Sequence, residues 1–186
     1  ENLETLAGET FRDYTLSGAT MSGGILSKSV IKQYADAKAA DANIVTAVMN
    51  GGGNDILIPA KALDPYACRT RWYRKNISNR CIALVEDTYV DSVNLFNDMD
   101  NDGVENILYL GYYSPKGRDK NLSQVVSVAN DYIEYGCEVA TNANCSFSAS
   151  YDVMTDADIL DDDIHPNASG GQKLANLLWP NLQPLL

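Results

Sequence analysis

Segments with strand character alternate with segments of helical spacing along this chain, and that order constrains its fold more than any other feature. Asn43–Met49 (NIVTAVM) is β-branched and apolar, as a strand buried on both faces would be. Val104–Tyr113 (VENILYLGYY) has the same character, and Phe11–Leu16 alternates aromatic with polar residues and reads as an earlier strand. A short last strand is expected within Glu138–Tyr151. Between these lie helical patterns at Ser29–Ala40, Asn79–Met99, Asn121–Tyr135 and Asn167–Leu178, the last followed by Pro180. Leu3, Leu6 and Ala7 share a face, as in the last turns of an amphipathic helix. Leu57–Tyr73 reads as irregular, and Asp100–Gly103 as the end of the long helix. The order predicts an α/β fold with a mostly parallel sheet and helices on both faces. With no repeat and no linker, residues 1–186 read as a single domain.

Charge narrows the partners. The chain carries a formal net charge of −11 and a pI of about 4.4. Such a surface repels nucleic-acid phosphates and disfavours anionic membranes. No apolar run approaches the ~20 residues of a membrane helix, so no transmembrane segment is expected.

The four cysteines form two local pairs, Cys68 with Cys81 and Cys137 with Cys145. There is no CxxC spacing and the single histidine lies elsewhere, so no zinc or other metal site is expected. Two disulfides, Cys68–Cys81 and Cys137–Cys145, are the reading adopted, which implies an oxidising compartment: a secreted or periplasmic protein. The alternative is four buried free thiols.

Three motifs carry chemistry. Ser17–Gly24 (SGATMSGG) follows one expected strand and Gly51-Gly52-Gly53-Asn54-Asp55 follows the next. In a doubly wound sheet, ligands bind beyond the carboxyl ends of strands. Glycines there admit backbone N–H groups to a ligand, and an asparagine amide can donate to a developing oxyanion. A structural turn accounts for either loop equally well. The third motif, Asp161-Asp162-Asp163-Ile164-His165-Pro166, holds the only histidine. Asp162, three residues earlier, can brace that imidazole as the acid of a Ser-His-Asp triad does. The competing reading is a solvated acidic turn whose histidine caps the next helix.

In order and spacing, the three motifs resemble blocks of the SGNH (GDSL-type) ester hydrolases. Gly18 matches the glycine whose N–H lines the oxyanion hole, and Gly53-Asn54-Asp55 matches GxND, whose asparagine donates to the same oxyanion. Asp162-Asp163-Ile164-His165 matches DxxH, the triad acid and base, and the longer run to Trp179 is similar to that family's ending. The resemblance spans about Phe11 to Trp179. It implies a flavodoxin-like three-layer α/β/α sandwich and ester hydrolysis through an acyl-enzyme. His165 and Asp162 would be catalytic, Gly18 and Asn54 would form the oxyanion hole, and neither metal nor organic cofactor is implied.

One block is absent. No Gly-Asp-Ser occurs, and Ser17 and Ser22 sit where loop geometry rather than attack is their role. In the flavodoxin-like order 2-1-3-4-5 the first strand is central. Its absence would leave an empty slot between Phe11–Leu16 and Asn43–Met49. The expectation is a native segment upstream of Glu1, carrying the nucleophilic serine and the first strand, lost from this chain or supplied by another chain.

The leading function is a secreted esterase, lipase or lysophospholipase acting on small-molecule, lipid or carbohydrate esters. The alternatives are a carbohydrate acetylesterase of the same family, or a catalytically inactive binding module lacking the nucleophile. Lesser signals remain. Asp98–Gly103 resembles half of a calcium loop, but Tyr109 stands where a glutamate would be needed, so a polar helix-to-strand turn is preferred. Trp72 and Tyr73, among Arg69, Arg71 and Arg74, either line the substrate pocket or plug a disulfide-pinned loop. Asn76, Asn121, Asn144 and Asn167 each stand in an Asn-x-Ser context.

Overall fold

The computed structural model describes residues 1–24, 28–139 and 141–186. Three parallel strands, β1 (Thr46–Met49), β2 (Asn106–Leu110) and β3 (Asn144–Ser148), form one sheet in the order β1-β2-β3. Met49 pairs with Tyr109, and Tyr109 with Phe147. The helices are α1 (Asn2–Ala7), α2 (Val30–Ala40), α3 (Gly53–Ala62), α4 (Asn79–Asn101), α5 (Ser123–Val139) and α6 (Ala168–Leu182). Ala140, within the stretch expected to hold the last strand, lies outside the described residues.

Helices cover both faces. Ile107 and Tyr109 of β2 are buried with Leu95, Phe96 and Met99 of α4 and Ile133 of α5. Phe96 meets Tyr109 edge-to-face at 5.9 Å, and Phe147 stacks on Tyr109 at 6.2 Å. Leu108 lies between those two residues, so the two-residue period of a strand turns it to the opposite face. It is buried there, and α6 packs against β2 and β3 with α1 behind it.

Both cysteine pairs are disulfides, with Cα–Cα distances of 5.1 Å for Cys68–Cys81 and 5.2 Å for Cys137–Cys145. The first lies in a core of Ile56 and Ala60 from α3, Val85 from α4, and Val125 and Ala129 from α5. The second ties the end of α5 to β3. Helix starts follow ordinary capping chemistry: Ser29 accepts from Lys32 N–H, Ser78 from Cys81 N–H and Asn167 from Gly170 N–H.

Four expectations about these elements are corrected. Phe11–Leu16 is not a strand. Side chains capture its backbone locally, Glu4 accepting from Phe11 N–H and Asp13 from Thr15 N–H, and no described strand lies beside it. Leu57–Ala62 is helical rather than irregular. The glycine run reads as a loop, yet Gly53-Asn54-Asp55 forms the first turn of α3, and the helix continues through Pro59. The closing helix likewise passes Pro180 and ends at Leu182.

Asp98–Asn101 is the last turn of α4, and only Asp102 and Gly103 form the helix-to-strand turn. Asp102 pairs with Lys38 and accepts from Tyr34 Oη, Asp100 accepts from Asn142, and Gly103 (φ +89°) turns the chain toward β2. Among the described residues, no helix is long and apolar enough to cross a membrane. Among the described residues β1 pairs with β2 alone and its other edge is open; Val48 of that strand is 41% exposed, so this strand is not buried on both faces as expected.

Candidate active site

His165 projects from a closed loop at the start of α6. Leu160 N–H bonds His165 O at 2.8 Å, Asn167 N–H bonds Asp158 O at 2.9 Å, and Ile159 bridges Pro166. The base of this loop is anchored by the buried Asp158. Lys173 Nζ (2.6 Å), Thr155 Oγ1 (2.6 Å) and Ser169 Oγ (3.0 Å) all donate to it, and Lys173 above all holds its carboxyl far below the usual range.

Within the loop, Asp162 faces both backbone and ring. Its Oδ1 accepts Ile164 N–H at 3.0 Å and His165 N–H at 2.8 Å, and its Oδ2 lies 2.5 Å from His165 Nδ1. These bonds, the imidazole's first, hold the Asp162 carboxyl far below its ordinary value. An ionised carboxylate only accepts, so Nδ1 carries the hydrogen, and in the neutral ring Nε2 is then the nitrogen with the lone pair. Two further contacts steady the loop. Arg118 Nε donates to Asp163 Oδ2 at 2.7 Å, and Tyr113 Oη donates to Ile164 O. Burial, and then the charge of Asp162, push Tyr113 up to about 12, so it remains a donor at neutral pH.

The second half of the site is the first turn of α3, gripping the Ser17–Gly24 loop. Asn54 Nδ2 donates to Ala19 O at 2.8 Å, and Met21 N–H donates to Asp55 Oδ2 at 2.8 Å. One amide hydrogen of Asn54 is thereby used to fix the side chain, and a second remains. Burial pushes the Asp55 carboxyl up, and the charge of Asp91 adds to it. Gly53 N–H donates to Tyr112 Oη at 2.6 Å, and Gly51 N–H donates to Tyr109 Oη at 3.1 Å. Gly52 has φ +94°, and a Cβ there would lie 2.6 Å from Thr88 Cγ2, so both conformation and crowding demand glycine. Gly18 (φ +76°) has open space around it, so its requirement is conformational alone.

His165 and Asn54 line the same cleft, of about 430 Å³. Leu16 and Ala19, on either side of Gly18, line it too, as do Val48 and Met49 of β1. Asp162 stands behind His165. Gly18 itself, Ser17 and Ser22 are not among the lining residues. Trp72 and Tyr73 do not line it either: they are 84% and 63% exposed, which removes both the pocket and the plug readings. Among the described residues, no group of three or more His, Cys, Asp or Glu side chains is placed to hold a metal ion.

Sequence reasoning missed the supports of the site: Tyr109, Tyr112 and Tyr113 at the carboxyl end of β2, and Arg118 after them. Their position beyond a strand end was the available signal. No family model, curated protein or solved structure matches the chain.

Proposed function

We propose that this chain forms the oxyanion-hole and Asp/His halves of an SGNH-type carboxylic ester hydrolase with a flavodoxin-like sheet. The observation carrying the reading is that His165, oriented by Asp162, and Asn54, fixed by Ala19, line one cleft. His165 Nε2 takes the proton of a serine hydroxyl as that oxygen attacks the ester carbonyl. Asn54 Nδ2–H holds the oxyanion, with the N-terminus of α3 adding its positive dipole end; Gly18 N–H, the second donor that the family resemblance implies, sits beside the lining Ala19 rather than in the cleft wall. The imidazolium then protonates the departing alcohol, and water repeats the sequence to release the acid. The serine belongs to a segment outside these 186 residues that pairs with the open edge of β1. Support comes from the cleft itself, which runs along Val48 and Met49 and is bounded by Val30 of α2 and Leu178 of α6. The two disulfides favour a secreted or periplasmic location.

The test is fluorophosphonate labelling of the protein purified from its natural source, with the modified residue mapped by mass spectrometry. Label on a serine outside residues 1–186, and its loss in His165→Ala, is the expected result. Removing the Asn54 amide should lower turnover ~10²–10³-fold. An unlabelled protein that hydrolyses no aryl, lipid or acetyl-polysaccharide ester would instead be an inactive binding module.

A further inference from the structure

The segment Lys61–Arg80 differs from the rest of the molecule. It holds six of the fourteen Lys and Arg residues and one of the twenty-five acids, Asp64. The segment thus carries +5, and the other residues together carry −16. The three most exposed large hydrophobic side chains of the described residues also lie in it: Leu63 at 90%, Trp72 at 84% and Tyr73 at 63%.

Their exposure is built in. Arg71 and Arg74 exchange backbone hydrogen bonds of 2.7 and 3.0 Å, which leaves Trp72 and Tyr73 as the tip of a tight hairpin, their rings edge-to-face at 5.3 Å. Below the tip, Asp64 accepts from Cys68 N–H at 2.6 Å and from Arg74 Nη2 at 3.1 Å, and Arg74 Nη2 also donates to Arg69 O at 2.6 Å. Arg69 is held in turn by Asp119 and Asn121, and the Cys68–Cys81 disulfide closes the base. Leu63 adjoins Asp64 at the end of α3. Arg71 and Lys75 are exposed and make no ion pair among the described residues.

We infer that this tip is a docking surface for an anionic lipid interface, with Leu63, Trp72 and Tyr73 entering the headgroup region and Arg71 and Lys75 meeting lipid phosphates. Trp and Tyr settle at such interfaces because one end of the ring system is apolar and the other polar. Leu63 separates lipid from polysaccharide, since an aliphatic side chain gains by leaving water but has no flat face on which a sugar can stack. The overall negative charge does not forbid the contact: Asp119 offsets Lys61 and Arg69, and Asp64 offsets Arg74, but Arg71 and Lys75 stand unpaired among the described residues beside the exposed rings, so the molecule meets an anionic surface tip first. The inference stands whether or not the cleft hydrolyses esters.

The experiment is co-sedimentation of the full chain with vesicles of phosphatidylcholine alone and of phosphatidylcholine mixed with phosphatidylglycerol. The wild type should sediment with the mixed vesicles, less so as salt rises. Trp72→Ser/Tyr73→Ser should lower the partition coefficient about tenfold or more. Arg71→Gln/Lys75→Gln should abolish the preference for phosphatidylglycerol. Circular dichroism melts should show both variants folded, because the replaced side chains are exposed. Wild type left in the supernatant with both vesicle types overturns the inference. So does binding unchanged in Trp72→Ser/Tyr73→Ser, or retention on an acidic polysaccharide without vesicle binding.

Discussion

Tyr113 and Ile164 are joined by a hydrogen bond from phenol to backbone carbonyl, tying the end of β2 to the loop that presents His165. Arg118, a few residues beyond Tyr113, holds the neighbouring Asp163 of that loop. Tyr113→Phe should lower stability by about 1 kcal/mol. Arg118→Ala, at an exposed side chain, should barely move the melting temperature. In both variants hydrogen exchange at the Ile164 and His165 amides should quicken severalfold. Exchange unchanged from wild type would show that the loop is held by its base alone.

Asp162 decides the tautomer of His165. In wild type, ¹⁵N NMR should show hydrogen on Nδ1, and in Asp162→Asn a mixture of the two tautomers. The pH dependence follows from the depressed Asp162 carboxyl. Its contribution to folding is fully present above the unfolded value of about 3.9 and is lost only as pH falls through the lower folded value. The stability difference between wild type and Asp162→Asn should therefore stay flat from pH 7 to about 4 and shrink below that.

Asp55 has the opposite sign. Burial raises its carboxyl in the folded state, so its proton binds more tightly there than in the unfolded chain. That contribution favours folding at acid pH and is withdrawn as pH rises through the folded value. Urea midpoints should show wild type losing stability relative to Asp55→Asn as pH rises from below the unfolded value of about 3.9 through the raised folded value. A constant difference across that range would mean the carboxyl is not raised.

The glycines before α3 can be ranked. Gly52→Ala should cost ~2 kcal/mol or more, because strain at φ +94° adds to the clash with Thr88. Gly18→Ala meets nothing and should cost ~1 kcal/mol from conformation alone. Thr88→Ser removes the clashing methyl while keeping the hydroxyl bond to Leu84 O, and should restore part of the Gly52→Ala loss. Denaturant melts of the three variants and the double variant measure these differences.

Replacing Cys68 and Cys81 by serine should destabilise the fold by about 3 kcal/mol, since the bridge closes a loop of sequence separation 13. The Cys137–Cys145 bridge spans 8 and should contribute somewhat less. Equilibrium unfolding under non-reducing conditions gives both values.

The parallel sheet was legible because Asn43–Met49 and Val104–Tyr113 are rich in β-branched and other apolar residues; β2 is covered on both faces, but Val45 and Val48 of the first stretch are exposed, so its burial was overread. The His165 loop was legible because one histidine and a carboxylate three residues earlier leave little choice. Phe11–Leu16 misled because alternation describes a strand only when a neighbour exists to pair with it. The α3 start misled because glycines at an N-cap and at a loop look alike. The supporting tyrosines escaped notice because their partners, Gly51, Gly53 and Ile164, are about fifty or more residues away and are backbone groups.

Strand β1 ends the sheet with a row of amides and carbonyls turned away from β2. Such a row is a template for whatever extended backbone arrives first. At high concentration the protein should self-associate through that strand, and light scattering should rise with concentration. Charged substitutions such as Val48→Lys would then be a practical means of keeping the chain monomeric.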